Sequence, residues 1–362
     1  MKVEVVESLA DLQARAAEWA ALYRRLPTAG LFASPEWALH WLHSFAPSER
    51  LHCTFVSDHN GLQAVFPLAP ATTRWRRVPV RAMVACTNAH SVRAALLHDP
   101  AGAPAAAAAW WRALRERKGW DLLLLDGCDA PGTGPVLPPL PDELPVERWL
   151  HSSLPVRGAW TDHLAGRSRD LRRNLRRAET DLARLGAVHF DLFDQDAEQV
   201  FALWTEVDRA SWKADRGETV DSDAQTTAYY RGMLHLLSRA GRLRAGVLRL
   251  DDRPIAVVVC AQDKGVLYTL KTAMREDLSS ARLSLGALVM ARLLQAAWSR
   301  RDVALVDFVS KQAYTDRWTT DARAFERRAV IAGSWRGRLA AVLERAAQRV
   351  HNPLAVVEPS RS

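Results

Sequence analysis

The sequence of 362 residues has few cysteines and no spacing typical of a metal site. Its four cysteines, Cys53, Cys86, Cys128 and Cys260, lie far apart, and no pair has the CxxC spacing of a zinc or redox motif. The eleven histidines show no HExxH or HxxxH spacing, so we predict no metal. A disulfide framework does not fit a chain this long, and we expect most cysteines to be small buried hydrophobic residues.

Long hydrophobic runs and lysines are also scarce. No stretch approaches the ~18 consecutive apolar residues of a transmembrane helix, and the opening segment MKVEVVESLADLQ has no apolar signal region. We therefore expect a cytoplasmic protein. The net charge is +8, but only six of the 49 basic residues are lysine, a bias typical of genes rich in G and C. Charge alone is thus weak evidence for a nucleic-acid partner.

Length and composition predict two globular domains. Hydrophobic residues make up 48% and charged residues 25% of the chain, which is enough for a sizeable core. We predict an N-terminal domain over 1–155, a second domain over 156–335, and a C-terminal helix and tail over 336–362. Both halves follow one plan of helices, β-hairpins, a helix and a strand, which predicts a mixed α/β fold and indicates a duplicated domain.

Local signals place many of the elements. Ser34 is a predicted helix N-cap and Pro35 the first helical residue, while Trp37 and Trp41 predict a buried helix face. Elsewhere we predict a helix that starts after Ser8 and runs to about residue 25, strands over 51–57, 62–69, 78–86 and 92–97, and helices over about 103–118, 167–185, 195–212, 224–239 and 335–351.

The segment 243–320 carries the strongest functional pattern. Three apolar strands, LRAGVLRL, AVVVCAQ and VLYTLKTA, precede the loop SSARLSLGALV, a long amphipathic helix and the strand ALVDFVS. A small-residue loop before a helix can hold a pyrophosphate, because the first N–H groups point outward and the helix dipole favours negative charge. The pattern predicts a reaction class rather than a substrate.

Several segments together resemble one family. In chain order they are FASPEWALHWLHSF, GLQAVFPLAP, SRDLRRNLRRAETDLARLGAVHFDLF, LRLDDRPIAVVV, SLGALVMARLLQAAW and VDFVSKQAYTDRWTT. Their order over roughly residues 30–330 resembles the CelD/BcsL type of GNAT-related acyltransferase in the FemXAB-like group. The resemblance implies two tandem GNAT-like α/β domains with mixed, partly antiparallel sheets flanked by helices. It also implies an N-acyltransferase, with acetyl-CoA or another acyl-CoA as donor and an amine or sugar as acceptor, in polysaccharide or cell-envelope biosynthesis.

Two other functions remain open at this point. Distant FemXAB relatives take aminoacyl groups from tRNA, and the arginines over 167–177 could bind such a polyanion. The same arginines are compatible with a solvated helix that pairs with Asp170, Glu179 and Asp181. A non-catalytic scaffold with a degenerate donor site is the other alternative, and Leu285 is the residue that favours it.

The predicted donor loop matches its family pattern in part. The GNAT loop reads Q/R-x-x-G-x-G/A, which the resemblance places on Arg282 and Ala287, with Leu285 at the middle glycine. The CelD-like Ser-Pro-Gly form matches at Ser284 and Gly286, with Leu285 in place of proline. We expect these five residues to bind the donor. They are equally compatible with an ordinary helix start capped by Ser284.

The predicted catalytic residues follow the loop. Asp307 lies in an otherwise apolar strand and is expected to act as general base, or else to form a salt bridge. The resemblance implies a tyrosine as general acid, and Tyr314 matches it by location. Leu270 and Lys271 are expected to contact the donor, with a backbone N–H of this strand on the thioester carbonyl. Lys271 could pair with Asp307, and Tyr268 is expected on the other side of the sheet from Lys271.

The acceptor is expected to contact two further groups of residues. Asp208 and Trp212 lie one helical turn apart, although core packing is the expected role of Trp212. The other group follows the Asp307 strand, where the resemblance implies a lysine and a tryptophan. This group consists of Lys311, Asp316, Arg317 and Trp318. Tyr268, in the earlier strand VLYTLKTA, is also expected to contact the acceptor. The alternative for this group is a surface turn with Trp318 in the core.

Overall fold

The computed structural model describes residues 1–46, 51–132, 136–144, 147–278 and 283–350. The chain divides into two compact units: Met1–Leu150 with Arg323–Ser362, and His151–Ala322. These units are defined by the contacts within each of them. They do not test the domain boundaries predicted after residues 155 and 335, which stay predictions.

The first unit is a mixed sheet with helices. Its elements are β1 (Lys2–Val6), α1 (Leu9–Ala14), α2 (Ala16–Arg25), α3 (Pro35–Phe45), β2 (His52–Asp58), β3 (Gly61–Trp75), β4 (Val78–Ala85), β5 (Leu97–His98), α4 (Ala103–Glu116), β6 (Leu122–Asp129), β13 (Ala322–Ile331) and α10 (Trp335–Val350). The strand order is β1-β2-β3-β4-β6-β13, with β5 beside β3. Only the pairing of β4 with β6 is parallel among these described strands.

Several local predictions for this unit are confirmed. The Ser34 hydroxyl accepts a hydrogen bond from the Trp37 N–H, and Pro35 begins α3. Trp37 and Trp41 are both buried. The helix predicted after Ser8 is interrupted, because Arg15 leaves helical geometry and separates α1 from α2.

The strand expected over 92–97 is wrong, since only Leu97–His98 pair with β3. The sequence reasoning also missed β13, whose segment ARAFERRAVI breaks the alternation of a strand with two adjacent arginines. Arg328 is 3% exposed there and donates hydrogen bonds to both carboxylate oxygens of Glu143 and to two backbone carbonyls. This pairing lets a charged residue occupy a central strand.

The second unit is one sheet between two helical layers. Its elements are β7 (Glu147–Pro155), which begins in the first unit, α5 (Trp160–Ala165), α6 (Arg169–Ala183), β8 (Val188–Phe193), α7 (Ala197–Arg209), α8 (Ala224–Arg239), β9 (Leu243–Leu250), β10 (Arg253–Asp263), β11 (Val266–Met274), α9 (Leu285–Ser299) and β12 (Leu305–Asp307). The strand order is β7-β12-β11-β10-β9-β8. The strands pair in antiparallel fashion except β11 and β12, which are parallel.

Different helices pack on the two faces of this sheet. Helices α6 and α9 pack on one face and share its apolar core, in which Leu171, Leu175 and Leu182 of α6 are buried. Helix α7 packs on β9, β10 and β11, and α8 packs on α7 and β9. The basic helix α6 is therefore amphipathic: its leucines face the core, and Arg173 and Arg177 are exposed, where Arg173 pairs with Asp170.

Candidate active site

A gap opens between β11 and β12 in the second unit. Asp307, the last residue of β12, is in register with Tyr268, whereas β11 continues to Met274. After Asp307 the chain no longer pairs with β11. The Phe308 N–H donates to the Ser152 carbonyl of β7 at 3.0 Å. In the part of the chain that the structure describes, no strand therefore pairs with residues 269–274 of β11 on the β12 side.

A β-bulge lies at the mouth of this gap. Val259 of β10 is in register with Lys271 while the next residue, Cys260, is in register with Thr269, so Leu270 is an extra residue in β11. A single inserted residue reverses the alternation of side chains beyond it. Tyr268 and Lys271 consequently point to the same face, and the expectation that they face opposite sides of the sheet is wrong.

Asp307 points to that same face. Its neighbours in register, Val306 and Leu267, lie in the apolar core beneath α6 and α9, so Tyr268 and Asp307 point to the opposite face. The Asp307 side chain is 1% exposed in the absence of any ligand, and its Oδ1 accepts a hydrogen bond from the Val309 N–H at 2.9 Å. Val309 has φ +54°, a rare conformation for a β-branched residue, which marks a sharp turn after the strand.

Lys271 has a different acidic neighbour from the one expected. Its Nζ lies 5.4 Å from the ring centroid of Tyr230 on α8, and the carboxylate that acts on its charge is Asp208 of α7. Burial lowers the pKa of Lys271, and the charge of Asp208 opposes this only in part. The sequence predicted that Lys271 pairs with Asp307. The structure instead places Lys271 over the ring of Tyr230, a residue that the sequence did not single out.

Asp208 is an anchor for the loop after α7. It is 1% exposed; Oδ1 accepts from Lys213 Nζ at 2.8 Å and Oδ2 accepts from the Val220 N–H at 2.8 Å. Lys213 Nζ also donates to the Thr272 carbonyl of β11 at 3.2 Å. The loop is therefore tied to the strand that borders the gap.

Trp212 lies in this loop and is 42% exposed, so the expectation that it packs in the core is wrong. The guanidinium of Arg216 lies 4.7 Å from the centroid of its ring. Such a cation–π pair is compatible with an exposed surface. Trp212 is therefore accessible to solvent.

The start of α9 offers two backbone N–H groups. The Leu285 N–H donates to the Leu283 carbonyl at 2.9 Å, and the helical bonds begin with the Leu288 N–H on the Ser284 carbonyl. The Ser284 hydroxyl makes no capping hydrogen bond, so the expectation of an ordinary serine cap is wrong. Among the described residues, the N–H groups of Gly286 and Ala287 have no acceptor.

Side chains around this helix start are packed inward. Leu285 is fully buried in the core with Leu283, so its β-carbon does not project into the solvent before the helix. A β-carbon on Gly286 would lie 2.7 Å from Cε of Met274, and the glycine thus lets the last residue of β11 pack against the first turn. Arg282 lies outside the described residues.

The loop after β12 forms the other side of the site. Tyr314 is 41% exposed, and desolvation of its phenol raises its pKa. Lys311 Nζ pairs with Asp316 Oδ1, and Arg317 is exposed. Trp318 is buried in the core. Of the residues predicted in this loop, Lys311, Tyr314, Asp316 and Arg317 are therefore near solvent.

Two residues that the sequence did not reveal hold this loop in place. Ser152 Oγ of β7 lies 2.8 Å from Thr315 Oγ1, and Thr315 Oγ1 also exchanges hydrogen bonds with the backbone of Gln312. Ser152 and Thr315 are 163 residues apart in the chain. No local pattern could have paired them.

Within the described ranges, no group of three or more His, Cys, Asp or Glu residues could hold a metal ion. No described helix is both long enough and apolar enough to cross a bilayer. All four cysteines are buried, as expected, and burial raises the pKa of each thiol.

A family model, the acetyltransferase (GNAT) domain, matches residues 169–318. Residues 169–318 are thus similar to a GNAT acetyltransferase domain, over less than half of the chain. The matched GNAT-like segment spans α6 to the loop after β12 and thus contains the gap, the bulge and the start of α9. No curated protein matches the sequence.

Solved structures extend the likeness to nearly the whole chain. FemX is 11% identical, with a TM-score of 0.57 over 95% of this chain and 100% of its own. A tandem GNAT protein from the clavulanic acid biosynthesis pathway is 14% identical, with a TM-score of 0.52 over 92% of this chain and 99% of its own. Identities this low show the fold alone, and the expected mixed α/β fold of tandem GNAT-like type is confirmed.

Proposed function

We propose that the GNAT-like domain transfers an acyl group, with acetyl as the expected group, from acyl-CoA to an amine or a sugar. We place the protein with the CelD/BcsL-type acyltransferases and expect an acceptor from polysaccharide or cell-envelope biosynthesis. The proposal rests mainly on one observation: strand β12 ends at Asp307. It leaves the edge of β11 open over 269–274, directly before the segment that leads to α9.

The donor would lie along this open edge. A pantetheine arm carries amide groups that can hydrogen-bond, as an added strand does, to the backbone groups of β11 with which no described strand pairs. A backbone N–H near the bulge at Leu270 would hold the thioester carbonyl, where negative charge develops during attack. The diphosphate would lie on the N–H groups of Gly286 and Ala287, because the helix dipole adds its positive end there.

The reaction needs a base and an acid. The attacking amine nitrogen forms a bond to the thioester carbon and gives its proton to Asp307, and the carbon–sulfur bond then breaks. Tyr314 would give a proton to the departing CoA sulfur, because a tyrosine phenol is protonated near neutral pH. Positioning of the two reactants contributes much of the rate. The proposed acceptor-side residues are Asp208, the exposed Trp212, Tyr268, Lys311, Asp316 and Arg317. Trp318 was also predicted to contact the acceptor, but it is buried in the core on the other face of the sheet and is left out of this set.

The experiment is a calorimetric titration of the full chain with acetyl-CoA, followed by an assay of CoA thiol release with spermidine, glucosamine and lysine. The proposal expects a saturable heat signal with a dissociation constant below about 1 mM and thiol release that depends on an added amine. Absence of both heat and thermal stabilisation at about 5 mM acetyl-CoA contradicts it.

A second candidate is a non-catalytic scaffold with a degenerate donor site. The observation that favours it is the Leu285 N–H, which is already bonded to the Leu283 carbonyl and cannot also bind a phosphate. The scaffold predicts that the folded protein binds no acyl-CoA. The same titration, run beside a thermal unfolding curve, separates the two candidates.

A further inference from the structure

A second pocket lies between α5, α6 and α9, on the face of the sheet opposite Asp307. Its volume is about 220 Å³, and its lining residues are Trp160, Leu164, Arg172, Leu175, Arg176, Glu179, Ala291, Arg292 and Gln295. Arg292 follows Leu285 by seven residues, so it lies about 10 Å along α9 from the proposed diphosphate site. The pocket is thus separate from the gap between β11 and β12.

The charges of this pocket are not balanced. Arg172, Arg176 and Arg292 contribute three guanidinium groups, and Glu179 is the one carboxylate of the lining. Glu179 Oε1 is already paired with Arg292 Nη2 at 2.9 Å. The Nε of Arg172 is buried and has no hydrogen-bond partner in the described part of the chain. Since an arginine cannot lose its proton, the excess positive charge of the lining favours an anion in the pocket.

The remaining wall is apolar and fixed. The Trp160 ring contacts His163 with a centroid distance of 5.6 Å, Trp298 at 5.5 Å and Trp318 at 6.4 Å. Leu164 and Leu175 line the pocket beside it. A ring held by three aromatic neighbours loses little side-chain freedom when a ligand packs beside it.

We propose that this pocket binds a small aryl anion, a compound with one aromatic ring and a carboxylate or phosphate head. The ring lies against Trp160 and the head against Arg172 and Arg176, which can grip either group with two parallel hydrogen bonds. The volume lies below the range of about 300–1,000 Å³ of drug-sized sites, which fits a single ring with its head group. The site is independent of the proposed acyl transfer.

The test uses ligand-observed fluorine NMR on the full chain with 4-fluorobenzoate and 4-fluorophenyl phosphate. Neutral 4-fluorobenzyl alcohol and, as a competitor, inorganic phosphate are the comparison probes. We expect at least one aryl anion to bind with a dissociation constant below about 1 mM, and saturation with acetyl-CoA to leave that constant unchanged. Whichever anion binds more tightly identifies the head group.

Three substitutions locate the site. Arg172→Gln is expected to weaken binding by about 10-fold to 100-fold, because it removes a charged hydrogen-bond donor. Glu179→Gln is expected to tighten binding, since it removes the one negative charge of the lining. Arg177→Gln, on the exposed side of the same helix, is the matched control and is expected to change nothing. Circular dichroism and thermal unfolding check that each variant is folded.

Any one of the following results overturns the proposal. They are no binding of either aryl anion at about 10 mM, equal affinity of wild type and Arg172→Gln, equal binding of the neutral alcohol, and displacement of the aryl phosphate by inorganic phosphate at equal concentration. Equal losses in Arg172→Gln and Arg177→Gln would show unspecific attraction to the helix, which also overturns it.

Discussion

Asp307 and Tyr268 form the last residue pair between two parallel strands, and only one of the strands continues beyond it. Both side chains point to the face covered by α7, and the open edge of β11 begins at the next residue. A buried carboxylate therefore lies where the sheet separates, beside backbone groups that a ligand can pair with. This relationship, rather than any single motif, supports the assignment of Asp307 as the base.

The first prediction concerns this carboxylate. Asp307→Asn is expected to lower the rate of amine-dependent CoA release by about 10²-fold to 10⁴-fold, because an amide cannot accept the proton. The amide oxygen can still accept the hydrogen bond from the Val309 N–H, so folding and acetyl-CoA affinity should persist. Asp321→Asn, at an exposed aspartate, is the control. Full activity of the Asp307→Asn variant would rule out the base role.

The second prediction concerns Lys271. Burial lowers the pKa of Lys271, so the charged lysine destabilises the folded protein at pH values below that pKa. The destabilisation decreases as the pH rises towards the ordinary lysine pKa of 10.5. Lys271→Met should therefore be more stable than wild type at pH 7, with a smaller difference at pH 10. Urea unfolding at both pH values measures it, and the exposed Lys118→Met is the control. A difference that grows with pH would contradict the prediction.

The third prediction concerns acid stability. His52 is 2% exposed, and burial together with the charge of Arg117 lowers its pKa from 6.5 to about 4. The unfolded chain takes up the proton first, so stability is lost as the pH falls from 6.5 to about 4, by roughly 3 kcal/mol. Unfolding free energies of His52→Gln should fall less over this range. His59→Gln, in the exposed turn after β2, should behave as wild type.

The fourth prediction concerns β13. Glu143→Ala removes the carboxylate that is hydrogen-bonded to the buried guanidinium of Arg328 and leaves only Glu326, at 4.0 Å, as a charged partner among the described residues, so it should lower the free energy of unfolding by about 3 kcal/mol. Glu147→Ala removes a partner of Arg327 from a more exposed pair and should cost less than about 1 kcal/mol. Denaturant titrations compare the two variants. Equal losses would show that burial at Arg328 does not determine the energy of this pair.

The sequence predicted elements with a local signature and missed those that depend on distant partners. Ser34 and Pro35 mark α3 because capping is decided within one turn. Strand β13 was missed because Arg328 is compatible with a buried strand only once Glu143 is beside it.

The same holds for the candidate site: residues with a local signature were predicted, and relationships between distant residues were missed. Asp307 stood out as an acid in an apolar strand, and it does end β12. The bulge at Leu270 could not be predicted, since it exists only in the register between β10 and β11, and it alone brings Tyr268 and Lys271 to one face. The anchors Lys213 and Thr315 likewise act through hydrogen bonds to remote residues.

The central claim is that the start of α9 binds the diphosphate of an acyl-CoA. Ser284→Asp and Ser284→Asn both place a good N-cap residue at this helix start, so both should fold as stably as wild type. Only the aspartate adds a negative charge beside the proposed diphosphate. Calorimetric titration with acetyl-CoA tests the claim: it predicts at least about 10-fold weaker binding to Ser284→Asp and near wild-type binding to Ser284→Asn. Equal affinities of the two variants would contradict it.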